Sequence, residues 1–163
     1  MGTCSAIRVE RGWAATPEIR ALINELDAEL SGHYLAEQRH GLRLDELFQP
    51  HIRFFIAWTE NGPQGCGGVA LFSEFAELKR MYVREKSRGR GIADAILERL
   101  TEEVVSAGLG RLRLETGTEQ KRAIRFYERW GFKICGAFEP CSSMAPSAIA
   151  TSIFMEKTVL PTH

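Results

Sequence analysis

Residues 76–108 carry a strand pattern, a glycine- and arginine-rich loop and a helix pattern in direct succession. The segment "AELKRMYVRE" at 76–85 alternates in hydrophobicity at the period of a half-buried strand. From Gly91, apolar residues recur at every fourth position, as on one face of a helix, until Gly108 ends the pattern. The loop "SRGRG" at 87–91 is therefore predicted to lie at the N-terminus of a helix.

The composition of this loop predicts an anion site. The first N–H groups of a helix have no partner within the helix and lie at the positive end of its dipole, so they bind phosphate well. Gly89 and Gly91 let a ligand approach the backbone closely, and Arg88 and Arg90 add positive charge. A diphosphate fits this pattern, although the sequence has neither a P-loop nor a dinucleotide-binding signature. A solvated basic turn that caps a helix would give the same pattern.

The other periodic segments predict the fold class. Strands are predicted at 6–11, 52–74 (a hairpin), 76–85, 110–117, 132–138 and 151–159, and helices at 16–30, within 31–50, at 91–108 and at 119–130. Their order, β-α-α-β-β-β-α-β-α-β-β, is neither strictly alternating nor segregated. It therefore predicts an α/β chain with a mixed sheet and helices on its faces. The segment "PCSSMAPSAIA" at 140–150 is predicted to be a loop.

Length and charge narrow the class of protein. The 163 residues predict a single domain over residues 1–163. Lys plus Arg and Asp plus Glu number 21 each, so no net charge favours nucleic acid or a membrane as a partner. The amino terminus lacks a signal-peptide pattern, and we expect a cytoplasmic protein. The cysteines and histidines lack metal-ligand spacing, so we expect no metal.

Three segments together resemble the GNAT superfamily of acyl-CoA-dependent N-acetyltransferases, in particular its small stand-alone bacterial members: "ELKRMYVREKSRGRGIADAILERL", "RLRLETG" and "AIRFYERWGF". The resemblance is strongest over residues 64–138. The family signature is Arg or Gln, two residues, Gly, one residue, then Gly or Ala, which Arg88, Gly91 and Ala93 match. The resemblance implies a central mixed, mostly antiparallel, twisted sheet of about six to seven strands flanked by about four helices.

The resemblance also implies acetyl-CoA as the acyl donor, without a metal. Its pyrophosphate would lie on the amides of residues 89–93, and its pantetheine arm would lie beside the preceding strand as an added strand. The Met81 N–H would then face the thioester carbonyl and act as an oxyanion donor. The residues expected to contact acetyl-CoA are Met81, Tyr82, Val83, Arg88, Gly89, Arg90, Gly91, Ile92, Ala93 and Arg122.

Tyr127 is the implied general acid. It matches the tyrosine that protonates the departing thiolate in many GNAT enzymes, and a phenol pKa of roughly 10 suits an acid near neutral pH. Phe126, Tyr127 and Trp130 also form the aromatic stripe of an ordinary core helix, so packing is the alternative interpretation of this residue.

Glu77 is the candidate general base. Strand alternation predicts that it shares a face with Met81, and it resembles in position the glutamate base of the histone-acetylating branch of the family. An exposed carboxylate paired with Lys79 is the alternative interpretation, and Glu74 and Glu115 are rival candidates for the base.

The acyl acceptor is less constrained. The resemblance implies that residues 31–50 and 137–150 form its pocket, and their mixture of charged and aromatic residues favours a small amine or an amino acid over a basic peptide. The predicted activity is N-acetylation of a primary amine by direct attack on acetyl-CoA through a tetrahedral intermediate. A protein lysine or another acyl acceptor, a catalytically silent CoA-binding module and a homodimer all stay open.

Overall fold

The computed structural model describes residues 6–32, 42–138 and 146–159. The strands in these stretches are β1 (Arg8–Arg11), β2 (Ile52–Thr59), β3 (Gly62–Leu71), β4 (Ala76–Val83), β5 (Arg111–Gly117), β6 (Lys133–Cys135) and β7 (Ser152–Thr158). The helices are α1 (Pro17–Ser31), α2 (Ile92–Ser106), α3 (Lys121–Arg129) and the short α4 (Pro146–Ala150), with 3₁₀ turns at Leu44–Phe48 and Glu85–Ser87.

These seven strands form one sheet in the order β1-β2-β3-β4-β5-β7-β6. Neighbouring strands are antiparallel, except for the parallel pair β4–β5. The prediction of a mixed, mostly antiparallel sheet with helices on its faces is therefore confirmed. None of the helices in the described stretches is long and apolar enough to cross a membrane.

Two parts of the sequence prediction need correction. In the segment 31–50, where a second helix was predicted, residues 33–41 lie outside the described residues, and residues 42–50 contain only the 3₁₀ turn Leu44–Phe48. Leu47 of this turn is buried against α1, so its apolar pattern reflects packing of a single turn. The predicted loop at 140–150 ends in α4, which begins at Pro146, a residue that suits the first turn of a helix.

The hydrophobic core lies on both faces of the sheet. On one face, α2 and α3 cover the larger cluster, which includes Leu78, Ile96 and Leu112. On the other face, α1 covers a second cluster around Phe54 and Cys66. Both clusters depend on the helical spacing of apolar residues that the sequence shows in α1 and α2.

Helix α2 approaches β3 closely because glycines face it. A Cβ added to Gly65 would lie 2.7 Å from the Tyr82 carbonyl oxygen and 3.3 Å from Ile96 Cδ1, and one added to Gly67 would overlap the Met81 sulfur. The bare backbone of β3 therefore lets α2 pack against it without a layer of side chains between them.

The sheet splits beside α2. Strands β4 and β5 pair only at Ala76 with Leu112 and at Glu77 with Arg113, and they diverge beyond that point. Strand β5 continues to pair with β7 along its whole length, from Arg111 to Gly117. The second half of β4 thus has no strand partner on the β5 side among the described residues, which leaves a gap in the sheet.

Candidate active site

A cavity of about 600 Å³ opens in the gap between β4 and β5. Its walls come from the second half of β4, the loop that follows it, the start of α2, the end of β5, α3 and the last turns of α1. A volume of this size is typical of sites for small molecules and cofactors. The cavity is therefore the candidate active site.

The loop before α2 forms one end of the cavity. Gly89 and Gly91 have φ of +80° and +83°, a left-handed conformation that favours glycine, and Gly91 is the N-cap residue of α2. Because Gly91 has no side chain, the first amides of α2 are not capped by it, in contrast to α1, where Thr16 accepts a hydrogen bond from the Ile19 N–H. The exposed amides and the helix dipole make this end suitable for an anion.

Arg88 is held in the cavity wall by two neighbours. Its Nε donates to the Val83 carbonyl at 3.0 Å, and its Nη2 donates to a carboxylate oxygen of Glu29 in α1 at 2.9 Å. The ion pair therefore fixes the loop against β4 and α1.

Nearly all the predicted acetyl-CoA contacts lie around this one cavity. Arg90 is the exception, because its side chain is exposed and does not line the cavity. The Ile92 side chain is buried in the core under α2, so the backbone of that residue is the part that an anion would contact. The residues that line the cavity are Met81, Tyr82, Val83, Arg88, Gly89, Gly91, Ile92, Ala93 and Arg122. Their contacts with a donor remain a prediction.

A bulge in β4 reverses the faces of the strand. The β3–β4 register shifts opposite Gly67, and Arg80 there has φ of +57°, the left-handed region that is uncommon for a residue other than glycine. Leu78 and Met81 both pack in the cluster under α2, so Glu77, which alternates with Leu78, faces α1. The prediction that Glu77 and Met81 share a face was wrong, because the bulge inserts one extra residue between them.

The same bulge corrects the other predicted face of β4. The alternation of "AELKRMYVRE" also predicts that Leu78, Arg80 and Tyr82 share the other face, but Leu78 is in the α2 core while Arg80 and Tyr82 contact α1. The Tyr82 hydroxyl donates to Glu25 at 3.2 Å, and burial, followed by the charge of Glu25, raises the pKa of Tyr82 to about 12. Its proton is therefore held by a carboxylate of α1.

Tyr127 belongs to both the core and the cavity. Its ring packs edge-to-face against Phe126 and Phe132 and is only 7% exposed, and the residue also lines the cavity. Burial raises the pKa of Tyr127 above its ordinary value of 10.0, so the phenol keeps its proton at neutral pH. The two interpretations of the aromatic stripe are therefore compatible: the ring is a core residue whose face borders the cavity.

Glu77 is buried in the cavity wall. It has no exposed surface, and its carboxylate forms an ion pair with Lys79 Nζ at 2.9 Å. The alternative prediction of a pair with Lys79 is thus correct as to the partner, but the pair is buried rather than exposed. Of the rival carboxylates, Glu115 lines the cavity and Glu74 is exposed outside it.

Ion pairs join α1 to β4 and to the loop. They link Asp27 to Arg80 at 2.6 Å, Glu25 to Arg84 at 2.9 Å and Glu29 to Arg88 at 2.9 Å. Sequence reasoning did not select Arg80 or the acidic residues of α1. The sequence did hold a signal for Arg80. In an unbroken strand, Arg80 would share the buried face of Leu78, and a charged residue at such a position indicates an irregularity in the strand.

About half of the predicted acceptor pocket, residues 33–41 and 139–145, lies outside the described residues. Phe138, at the edge of this region, is buried and packs edge-to-face against Phe75 and Phe154. Among the described residues, no group of three or more acidic, histidine or cysteine side chains could hold a metal ion.

A mixed sheet that splits beside an uncapped helix N-terminus fits the acyl-CoA site that the sequence resemblance implied. The chain belongs to the acetyltransferase (GNAT) family, whose sequence model matches residues 18–132. It is therefore an acyltransferase of enzyme class 2.3.1, and its family uses acetyl-CoA as the donor.

Relatives and solved structures agree with this assignment. An IAA acetyltransferase from Azospirillum brasilense is 41% identical over 138 residues, which cover 83% of this chain and 87% of that protein. The crystal structure of a proposed acyl-CoA N-acyltransferase from Klebsiella pneumoniae subsp. pneumoniae superposes with a TM-score of 0.76, at 28% identity, over 94% of this chain and 98% of that one. A GNAT acetyltransferase from Elizabethkingia anophelis with acetyl-CoA bound shares the fold, with a TM-score of 0.65 at 20% identity over 93% and 97% of the two chains.

Proposed function

We propose that this chain transfers the acetyl group of acetyl-CoA to a primary amine of a small molecule or an amino acid, by direct attack through a tetrahedral intermediate. The observation that carries the proposal is the cavity in the split sheet. It joins the uncapped start of α2, the edge of β4 that lacks a strand partner, and Tyr127 in one space. Acetyl-CoA in the structure of the Elizabethkingia anophelis relative supports the same donor here.

The proposed donor site extends from the loop to the bulge. The amides of residues 89–93 bind the diphosphate, since the left-handed glycines bring the backbone within reach of it and Arg122 adds charge from α3. The backbone of Met81, Tyr82 and Val83 hydrogen-bonds the pantetheine arm as an added strand would. The Met81 N–H stabilises the oxyanion that develops on the thioester carbonyl.

Glu77 is the proposed general base. Attack requires a neutral amine, and an α-amino group is mostly protonated below about pH 8, so a base must remove a proton. Glu77 faces α1, on the opposite side of β4 from Met81, and this suits a base that receives its proton from the acceptor side. Lys79 Nζ pairs with the carboxylate at 2.9 Å.

Tyr127 is the proposed general acid. The proton that the ammonium form loses before attack goes to solvent, and the neutral amine attacks the thioester carbonyl. As the new C–N bond forms, the nitrogen gives a second proton to Glu77. As the C–S bond breaks, Tyr127 donates its own proton to the sulfur that carries away the bonding electron pair. Burial raises the pKa of Tyr127, so the phenol carries the proton to be donated at neutral pH.

The test follows the consumption of acetyl-CoA by mass spectrometry, with separate pools of amino acids, polyamines, aminoglycosides, IAA and a lysine peptide. We expect a product 42 Da heavier in a pool of small amines or amino acids, about 42 Da being the mass that one acetyl group adds. Acetylation of the lysine peptide alone would overturn the small-molecule part of the proposal. Tight binding of acetyl-CoA without turnover in any pool would support a silent CoA-binding module instead.

A further inference from the structure

One side of the cavity lies between α1 and the face of β4 opposite to Met81. We call it the α1-side wall, and it is formed by Leu26, Glu29, Leu30, Glu77, Lys79 and Arg80. Donor contacts are predicted on the other side of the strand, along Met81 and the loop. The α1-side wall is therefore where an acceptor would approach the thioester.

Arg80 is the most unusual residue of this wall. Its backbone is held in the left-handed region by the bulge, and its side chain is only 6% exposed although it carries a permanent charge. One nitrogen, Nη2, donates to Asp27 at 2.6 Å. The buried Nε has no hydrogen-bond acceptor among the described residues. A buried guanidinium donor without an acceptor is costly, and such a group in a cavity wall points to a ligand.

The two carboxylates of the α1-side wall each form an ion pair with a basic residue. Glu77 pairs with Lys79, and Glu29 pairs with Arg88. Asp27, which does pair with Arg80, is 49% exposed, and its attraction for the guanidinium is weakened by water. Arg80 lines the cavity, and its Nε–H keeps no acceptor among the described residues.

We propose that the acceptor carries a carboxylate and that Arg80 binds it. This inference rests on the proposed acetyl transfer and narrows the acceptor to amino acids and other amines with a carboxylate. The guanidinium presents several N–H donors in a planar fork that matches the two oxygens of a carboxylate, and desolvation strengthens such a pair. The carboxylate would pair with the guanidinium where Arg80 borders the cavity and leave the amine to face Glu77.

The test compares each amino acid with its own carboxamide as an acceptor, so that the amine is kept and only the carboxylate changes. Wild-type protein should acetylate the preferred acid with a kcat/KM roughly tenfold or more above that of the amide. In Arg80→Gln this preference should fall below about threefold, mainly through a higher KM for the acid. Arg80→Lys, which keeps the charge but loses the planar fork, should lie between the two.

Arg84→Gln is the matched control. Arg84 also pairs with an acid of α1, at 2.9 Å, but it does not line the cavity. If Arg80 only anchors α1, both Gln variants should lose selectivity alike, and the proposal fails. The proposal also fails if the amides react as well as the acids, or if the preference survives in Arg80→Gln.

A binding measurement separates this inference from the proposed function. Calorimetric titration of the CoA-bound protein with the amino acid pool should show binding that the carboxamide pool lacks and that Arg80→Gln loses. If neither pool is acetylated but this binding is present, the proposed catalysis fails and the carboxylate site stands. If no amino acid binds and none is acetylated, the carboxylate site is excluded as well. Thermal unfolding of each variant establishes that it is folded.

Discussion

Replacement of Tyr127 by Phe is expected to lower kcat by roughly tenfold or more, which corresponds to about 1.4 kcal/mol in the barrier. The substitution removes only the hydroxyl, and the ring keeps its packing against Phe126 and Phe132. Since the proton on the departing sulfur is needed in the transition state, kcat should fall while the affinity for acetyl-CoA stays within about twofold. Steady-state kinetics and calorimetric titration with acetyl-CoA measure the two quantities.

Phe132→Leu is the control for packing. Phe132 contacts the ring of Tyr127 but does not line the cavity, so this variant should lose stability and keep most of its kcat. An unchanged kcat in Tyr127→Phe would mean that the residue serves the core alone. Because burial raises the pKa of Tyr127, no loss of kcat from its ionisation is expected until the pH exceeds the ordinary tyrosine value of 10.0.

Gly91→Val is expected to raise the dissociation constant for acetyl-CoA by roughly tenfold or more, about 1.4 kcal/mol. Gly91 has φ of +83° at the N-cap of α2, where a β-branched residue is strained and its side chain would stand beside the amides predicted to bind the diphosphate. No atom lies within 4 Å of a Cβ added there, so the loss should come from strain and from obstruction of the amides rather than from overlap.

Gly108→Val separates the effect of backbone strain from the effect of obstructed amides. Gly108 has nearly the same φ, +81°, and the same open surroundings, but it lies at the other end of α2, away from the cavity. Both valines should lower the free energy of unfolding by about 1–2 kcal/mol through the left-handed backbone. Only Gly91→Val should weaken acetyl-CoA binding; equal affinities in the two variants would mean that the loop does not hold the diphosphate.

The elements of the site that depend on local sequence were predictable. The loop at 87–91 and α2 follow from a glycine pattern and a four-residue repeat that need no information from distant parts of the chain. The aromatic stripe of α3 likewise gave Tyr127 its correct position on the helix, and the structure adds that the ring borders the cavity.

The elements that depend on distant pairing were not predictable. The bulge at Arg80 exists because β4 pairs with the glycine row of β3 with a shift opposite Gly67, and no local pattern specifies that shift. The pairs that join Arg80, Arg84 and Arg88 to α1 connect residues 53 to 59 positions apart. These contacts depend on how α1 packs on the sheet, and they determine the charge of the α1-side wall.

A crystal structure of this protein with acetyl-CoA tests the central claim most directly. The diphosphate oxygens should lie at hydrogen-bond distance, about 2.7–3.2 Å, from amide nitrogens of residues 89–93. The thioester carbonyl should lie at a similar distance from the Met81 N–H, with the arm in the gap between β4 and β5. A diphosphate bound away from this loop, or a gap closed by continued β4–β5 pairing, would contradict the account.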